Sequence, residues 1–265
     1  MTPEHIVGIV TAALFGAALG SFSNVLAIRW HEEVDLGGRS KCPGCGHVIR
    51  PQHLVPVFSW LWLRGKCADC GKKIHIQYPI VEAIAMLLGG IAAWQANPFT
   101  SPLQFALLFI CTVGFLAPVV MDLRWQELPV EYLVGLGVVG VGLRTAIAWY
   151  AGANLLVSLG STLAAIVIGV GVFWLQVALS RGRWLGEGDV WFGGMMGAVL
   201  GAPALVGIGI YFAYIIGGLW AVAGLASGAY KRGSRLPFAP ALATGTMVAL
   251  WHGENILSWI RHGML

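Results

Sequence analysis

The chain has 265 residues, of which 57% are hydrophobic and 11% are charged, and its formal net charge is +4. Since soluble domains carry about 25% charged residues, this composition excludes an ordinary soluble protein. The small net charge gives no indication of a nucleic-acid partner. The 12 tryptophans are typical of a protein whose aromatic rings lie at membrane interfaces.

Apolar segments along the chain predict an all-α polytopic membrane protein with about eight transmembrane helices. A transmembrane helix needs about 20 mostly apolar residues. One Gly- and Met-rich segment, 189–201, is shorter and is counted as a short or tilted span, although a re-entrant loop there remains open. No Lys or Arg precedes the first segment, so we expect an uncleaved helix rather than a signal peptide. The predicted spans are 6–28, 79–96, 102–121, 131–150, 154–179, 189–201, 204–228 and 237–259.

The basic residues predict the orientation of these spans. With eight crossings, one set of links holds every Lys and Arg except Arg144 and Arg261. Cytoplasmic loops carry such an excess of basic residues, so we expect this set in the cytoplasm and both termini outside. Asp122 and Asp189 then both lie at the cytoplasmic edge of the membrane. The basic links are 29–78, 122–130, 180–188 and 229–236.

Three regions follow from this layout: a first transmembrane helix (1–28), a cytoplasmic loop domain (29–78) and a membrane-embedded domain (79–265). The first helix carries a patch of small and polar residues. We interpret this patch as a helix-packing surface with interhelical hydrogen bonds, in preference to a direct role in chemistry. Its members are Gly20, Ser21, Ser23 and Asn24.

The loop domain contains two near-copies of one motif, Lys41-Cys-Pro-Gly-Cys-Gly46 and Lys66-Cys-Ala-Asp-Cys-Gly71. Each resembles a zinc knuckle, and four thiolates together form a tetrahedral structural zinc site. Two disulfides are the alternative, which the reducing cytoplasm disfavours. His47, His53 and His75 are possible but unnecessary ligands. The predicted zinc ligands are Cys42, Cys45, Cys67 and Cys70.

Two aspartates are the candidate catalytic residues, because acids embedded in a membrane protein are costly and mark functional sites. Asp122 ends a predicted helix, where the helix dipole is unfavourable, so we expect compensation by Arg124 or by a shared proton. Asp189 follows Gly186 and Gly188 at the start of a helix, where an N-capping role is equally ordinary. Close backbone approach at these glycines favours a functional interpretation, and an extended substrate is expected to lie along Gly193, Gly194 and Gly197.

If the two acids meet, they are expected to share one proton, because like charges at close range do not both ionise readily. The ionised member then activates water as a general base, and the protonated member polarises the scissile carbonyl. This is aspartic-protease chemistry. It needs neither a covalent intermediate nor a metal ion.

Several further motifs occur in a specific order. They are Gly20-Ser21-Phe22-Ser23-Asn24-Val25, the paired Cys-x-x-Cys loop, Tyr78-Pro79-Ile80-Val81-Glu82, Asp122 seven residues before Pro129, Gly186-Glu187-Gly188-Asp189 and Leu236-Pro237-Phe238-Ala239-Pro240. In this order and spacing, over nearly the whole chain, the sequence resembles the bacterial type IV prepilin peptidases. That family comprises intramembrane aspartic proteases with a Gly-x-Gly-Asp motif.

The resemblance implies an inner-membrane enzyme with Asp122 and Asp189 as its catalytic acids. Such enzymes cut the basic leader from type IV prepilins and type II secretion pseudopilins on the cytoplasmic side, after a glycine. Bifunctional members, which carry the cysteine loop, then methylate the new N-terminal residue with S-adenosylmethionine. The sequence has no glycine-rich nucleotide motif after a strand, so it does not place the methyl-donor site.

Three positions depart from the family pattern. Val130 stands where the family often has Asp, Trp191 stands where it often has Lys, and Trp30-His31 replaces the end of an Arg-x-Pro turn. None of these changes removes a proposed catalytic acid. They affect the expected substrate contacts and methyl transfer more than cleavage.

A basic leader needs acidic contacts, and Glu127, Glu131 and Glu187 lie in or beside the cytoplasmic links. We expect them to supply these contacts only because they are negatively charged and are predicted on the cytoplasmic side of the membrane. Two other classes of function remain alternatives: a proton-coupled transporter, because acids within the membrane also mark ion paths, and a non-enzymatic assembly module in which the zinc loop docks partners.

Overall fold

The structure is a computed structural model that describes residues 2–231 and 236–263. Within these residues it is helical apart from loops and two isolated β-bridges, which confirms the all-α prediction. One 3-10 helix, Pro51–Leu54, precedes α2. The helices are α1 (Pro3–His31), α2 (Phe58–Trp62), α3 (Gln77–Gln95), α4 (Pro102–Gly114), α5 (Leu116–Trp125), α6 (Val130–Tyr150), α7 (Leu155–Ser180), α8 (Glu187–Leu200), α9 (Pro203–Ala226) and α10 (Ala239–Gly263).

The chain forms two compact units. The first consists of Met1–Phe105 with Thr112–Val120, and the second of Ala106–Cys111 with Met121–Leu265. The first unit therefore holds α1, α3 and the cysteine loop between them. The second holds α6 to α10 and both candidate catalytic aspartates.

In the first unit, α1 and α3 pack closely because small residues line their contact. A Cβ atom added at Gly20 would lie 2.6 Å from the Cβ of Ala85, and one at Gly16 would collide with the Ala85 carbonyl. The amide of Gln77 on α3 donates a 3.0 Å hydrogen bond to the Asn24 side chain on α1. These contacts confirm that the small, polar patch of the first helix is a packing surface.

In the second unit, α8 is the central helix. It contacts α6, α7, α9 and α10. Its side chains Phe192, Met196, Val199 and Leu200 are completely buried. With 14 residues, α8 is about 21 Å long. It is therefore surrounded largely by protein.

The glycines of α8 bring it against α7. A Cβ atom at Gly197 would lie 2.5 Å from the Ala165 carbonyl oxygen, and one at Gly193 would lie 2.5 Å from that of Gly169. Gly194 also faces α7, where its Cβ would lie 3.0 Å from Val170. The expectation that these three glycines form a substrate surface is therefore wrong, because a neighbouring helix occupies that face.

Six helices of the described chain are long and apolar enough to cross a membrane. They correspond to six of the eight predicted spans, so the chain is a multi-pass membrane protein. Neither α8, which is short, nor α10, which is less apolar, belongs to this set. The crossings predicted at 189–201 and 237–259 stay predictions. The six helices are α1, α3, the continuous pair α4 and α5, α6, α7 and α9.

The tight contact between α7 and α8 gives a stability prediction. A methyl group at Gly169 would collide with the backbone of Gly193, whereas Gly171, two residues away on α7, has open space around it. We expect Gly169→Ala to destabilise the protein by about 1–3 kcal/mol through overpacking. Thermal unfolding in detergent should show a melting temperature lowered by several degrees. Gly171→Ala is the matched control, and an equal loss in both variants would contradict this packing.

Candidate active site and metal centre

Asp122 lies in the last turn of α5 and is largely buried. Its Oδ2 atom accepts a 2.7 Å hydrogen bond from the backbone N–H of Ala239. The expected pairing with Arg124 is not formed among the described residues. The Arg124 guanidinium instead lies 4.9 Å from the centre of the Trp125 ring. Compensation for the unfavourable end of α5 therefore comes from another helix.

That other helix is α10, which begins at Ala239. The first turn of a helix has unpaired N–H groups and the positive end of the helix dipole, which together stabilise a carboxylate. Pro240 follows directly and suits a first helical turn. The sequence motif Leu236-Pro237-Phe238-Ala239-Pro240 marked the start of this helix, but nothing local indicated that its N–H donor serves Asp122.

Asp189 lies at the third position of α8 and is also largely buried. Its Oδ2 atom accepts a 3.0 Å hydrogen bond from the N–H of Gly186, the residue that caps the helix. The expected helix-start role of Asp189 is confirmed, with Gly186 rather than Asp189 at the cap position itself. This geometry orients the carboxyl at the positive end of α8.

Both aspartates line one cavity of about 510 Å³. The structure therefore brings both predicted acids to the same cavity, and their pairing as a dyad stays a prediction. The remaining lining residues come from the α7–α8 loop, from the residues after α5, from α9 and from the segment before α10. They are Gln126, Leu128, Gly182, Arg183, Trp184, Leu185, Gly186, Glu187, Gly188, Tyr214, Gly217, Leu236 and Phe238.

The two glycines beside Asp189 have different reasons to be glycine. A Cβ atom at Gly188 would lie 2.9 Å from the Cβ of Leu128, so this position permits a close approach between two walls of the cavity. A Cβ atom at Gly186 would lie 3.8 Å from the nearest Asp189 oxygen, an ordinary contact distance. The predicted close approach therefore holds for Gly188 and not for Gly186.

An aromatic wall of the cavity was not found from the sequence. The rings of Tyr214 and Phe238 pack with their centroids 5.4 Å apart. The Tyr214 hydroxyl donates a 2.5 Å hydrogen bond to the Gln176 side chain on α7. Gly217 makes room for this wall, since a Cβ atom there would lie 2.8 Å from the Phe238 ring. No sequence signal connects these four residues, which lie on α7, on α9 and before α10.

The three acids expected to contact a basic leader lie in different places. Glu187 lines the cavity beside Gly188 and Asp189. Glu127 and Glu131 do not belong to the lining residues. The structure therefore singles out Glu187 as the member of the set that is next to the candidate catalytic acids.

The four cysteines of the loop come together as expected. Their sulfur atoms all lie within 4.8 Å of one another, so they could hold one metal ion. The sulfurs of Cys42 and Cys70 are 3.8 Å apart, too far for a disulfide bond. His47, His53 and His75 are not part of this group. The donor set is the one that structural zinc sites use.

The two knuckles have the same backbone turn. The backbone N–H of Cys42 donates a 2.9 Å hydrogen bond to the carbonyl of His47. The backbone N–H of Cys67 donates a 2.8 Å hydrogen bond to the carbonyl of Lys72 in the same way. Gly46 and Gly71 each adopt a φ of 71°, a left-handed conformation that favours glycine. The near-identical sequences therefore fold into matched turns.

The thiols of this cluster influence one another strongly. Backbone N–H groups of Gly44 and Cys45 lower the pKa of the Cys42 thiol to about 6. The pKa of Cys45 is raised to about 11, because desolvation and the neighbouring thiols Cys42 and Cys70 outweigh the favourable N–H of His47. With this raised pKa, the Cys45 thiol needs a neighbouring cation to be ionised at neutral pH.

Comparisons with known proteins agree with this geometry. A family model described as the Bacterial Peptidase A24 N-terminal domain matches residues 14–96, which include the four clustered cysteines. The model of the Type IV leader peptidase family matches residues 108–222, which include Asp122 and Asp189. A prepilin leader peptidase/N-methyltransferase of Bacillus subtilis is 30% identical over 93% of this chain and 95% of its own length. The chain belongs to the prepilin leader peptidase/N-methyltransferase family.

Other members of the family match over similar lengths. The prepilin leader peptidase/N-methyltransferase of Pseudomonas aeruginosa is 34% identical over 82% of this chain and 72% of its own length. The relative from Dichelobacter nodosus is 30% identical over 94% of this chain and 93% of its own length. No solved structure matches the chain.

Proposed function

We propose that this chain removes leader peptides from prepilins and methylates the new N-terminal residue, as the name of its curated relatives states for them. The observation that carries the proposal is that Asp122 and Asp189 line one cavity in a member of this family. The relatives named above are all described as prepilin leader peptidase/N-methyltransferases, which favours an enzyme over a transporter or an assembly module. We place the enzyme in the bacterial inner membrane.

In the proposed cleavage step, the two aspartates act as one general acid–base pair. The ionised carboxylate removes a proton from water as the water oxygen attacks the scissile carbonyl carbon, and the protonated carboxyl donates to the carbonyl oxygen. Collapse of the tetrahedral intermediate breaks the C–N bond, and the leaving amine takes up a proton from the pair. Fixed backbone donors at Gly186 and Ala239 hold the two carboxyls in orientation.

For methyl transfer, we propose S-adenosylmethionine as the donor that supplies the methyl group. The donor site has no assigned residues. The substrate in this step is the amine that cleavage exposes, so the order of the two reactions follows from their chemistry.

We propose that Cys42, Cys45, Cys67 and Cys70 bind one structural zinc ion. Four thiolates leave no open coordination position, so such a metal stabilises the loop and takes no part in hydrolysis. The site carries a formal charge of −2 when loaded. Exposed lysines beside the cysteines offset it, at positions Lys41, Lys66, Lys72 and Lys73.

We also propose the membrane topology that the loop charges indicated, and a division of the chain into three regions. Residues 1–28 form the first membrane helix, 29–78 the zinc-loop domain and 79–265 the peptidase domain. The zinc loop and the cavity lie on the cytoplasmic side, where basic residues concentrate. Prepilins and type II secretion pseudopilins with basic leaders are the proposed substrates.

The dyad is tested by Asp122→Asn and Asp189→Asn in purified protein with a synthetic precursor that has a basic leader, a glycine and an apolar segment. Each variant loses one member of the acid–base pair, so we expect cleavage, followed by mass spectrometry, to fall at least about 100-fold. Melting temperatures should report whether folding is intact. Glu4→Gln, an exposed acid at the start of α1, is the control. Normal cleavage by either Asn variant would disprove the catalytic assignment of that residue.

The metal is tested by zinc analysis of the purified chain. We expect about one zinc ion per chain, and a large loss in the double variant Cys42→Ser/Cys45→Ser, because two of four ligands disappear. Cys111→Ser is the matched control, since Cys111 is buried in α4 and does not belong to the cluster. Equal zinc loss in the control, or full zinc in the double variant, would contradict the site.

The leader contact is tested by comparing Glu187→Gln with Glu131→Gln on a native and a charge-neutral leader. Because Glu187 lines the cavity and Glu131 does not, we expect only the first variant to raise KM for the native leader, by about 2- to 5-fold. With the neutral leader, both variants should resemble the unmodified enzyme. A KM increase of the same size for both leaders would show that Glu187 does not recognise leader charge.

A further inference from the structure

The polar loop between α1 and α3 contains an exposed apolar segment that the proposed chemistry does not use. This segment, 54–62, comprises the end of the 3-10 helix and all of α2. Five of its large apolar side chains are between 42% and 75% exposed, with Trp62 the most exposed. A cluster of this kind on a small loop is normally an interaction site. Its exposed members are Leu54, Val55, Phe58, Leu61 and Trp62.

One hydrogen bond fixes the position of this segment along the axis of α3. The N–H of Val57 donates to the Glu82 carboxylate at 2.6 Å. Glu82 lies five residues after the start of α3, which is about 7 Å along that helix. The loop therefore folds back alongside α3 instead of staying beyond its end.

The residue of α1 that lies beside Glu82 is further from the end of α1 than Glu82 is from the start of α3. Gly20 packs beside the Cα of Glu82, where an added Cβ would lie 3.0 Å away. Gly20 precedes the end of α1 at His31 by 11 residues, about 16 Å. Since α1 stays apolar as far as Ile28, Val57 lies at a level where α1 still presents membrane-spanning sequence.

Neighbouring side chains at this level have the character of a lipid-facing surface. Phe22 on α1 is about half exposed, as is Ile80 on α3, and Ile84 is only slightly less so. Ile80 and Ile84 lie two residues to either side of Glu82. Exposed apolar side chains of two membrane-spanning helices therefore occur at the same level along the helix axes as Val57.

The strained backbone at Val57 indicates that tertiary contacts hold the segment 54–62 in its position beside α3. Val57 has a φ of 62° and a ψ of −52°, a γ-turn conformation that is strained for a β-branched residue. The turn is closed by a 2.6 Å hydrogen bond from Phe58 to the Pro56 carbonyl. Such strain persists only where surrounding contacts over-determine it. The hydrogen bond to Glu82 is one of the contacts that hold the turn.

We infer that the segment 54–62 is an interfacial membrane anchor, whose apolar side chains enter the boundary between lipid headgroups and acyl chains beside α1 and α3. Tryptophan prefers this boundary. Arg64 and Lys66 follow α2 directly and are exposed, so they match the anionic lipids of a bacterial inner membrane. The anchor holds the four-cysteine loop against the bilayer surface. This proposal is independent of the catalytic assignment.

Site-specific photo-crosslinking in the full-length protein tests the anchor. The photoreactive residue p-benzoylphenylalanine replaces Trp62 in one variant and Leu61 in a second, in nanodiscs that contain phosphatidylethanolamine and phosphatidylglycerol. Phe22 on α1 is the site for a positive control. Val48, an exposed apolar residue on the first knuckle, is the matched negative control. Mass spectrometry after irradiation identifies what each site has captured.

We expect lipid adducts at positions 61 and 62 with a yield comparable to that at position 22, and at least about fivefold above that at position 48. Yields at 61 and 62 no higher than at 48 would overturn the anchor. Crosslinks to another part of this chain would show that the segment is covered by its own protein. Crosslinks formed only when a prepilin is added would show a substrate-docking surface, and both results would replace the lipid proposal.

Discussion

The hydrogen bond from Ala239 to Asp122 is the interaction on which the candidate active site depends. It joins the end of α5 to the start of α10 across 117 residues of sequence. A carboxyl group at the end of its own helix faces the negative end of that helix dipole. The N-terminus of α10 supplies an N–H donor and a positive dipole end at the same place. Asp189 receives the equivalent support from the N-terminus of α8, so two positive helix ends meet at one cavity.

This arrangement explains which parts of the site the sequence could predict. Asp122 and Asp189 were identifiable because acids at the ends of apolar segments are rare and costly. The matched knuckles followed from two near-identical Cys-x-x-Cys motifs. The partner of Asp122 was not predictable, because hydropathy and local motifs carry no information about which distant helix supplies a donor. The contact between Tyr214 and Gln176 was missed for the same reason.

One departure from expectation is explained by the burial of α8. Its glycines were expected to form an open surface, but they pack against α7, because small residues favour close helix contact wherever a second helix is present. Burial by four helices also accounts for the apolar side chains of α8 whether or not it crosses the bilayer, so the span predicted at 189–201 stays a prediction. At Val57, tertiary contacts that include the hydrogen bond to Glu82 override the backbone preference of a β-branched residue.

The enclosure of α8 has a consequence for how the second unit moves. Its backbone amides lie where opening requires several helices to separate, so their hydrogen exchange is governed by sub-global unfolding rather than by local fraying. Asp189 sits in the first turn of this helix, and its hydrogen bond from Gly186 ties the last residue of the α7–α8 loop to the same helix end. We therefore expect the position of the Asp189 carboxyl to be as stable as the packing of the helices around α8.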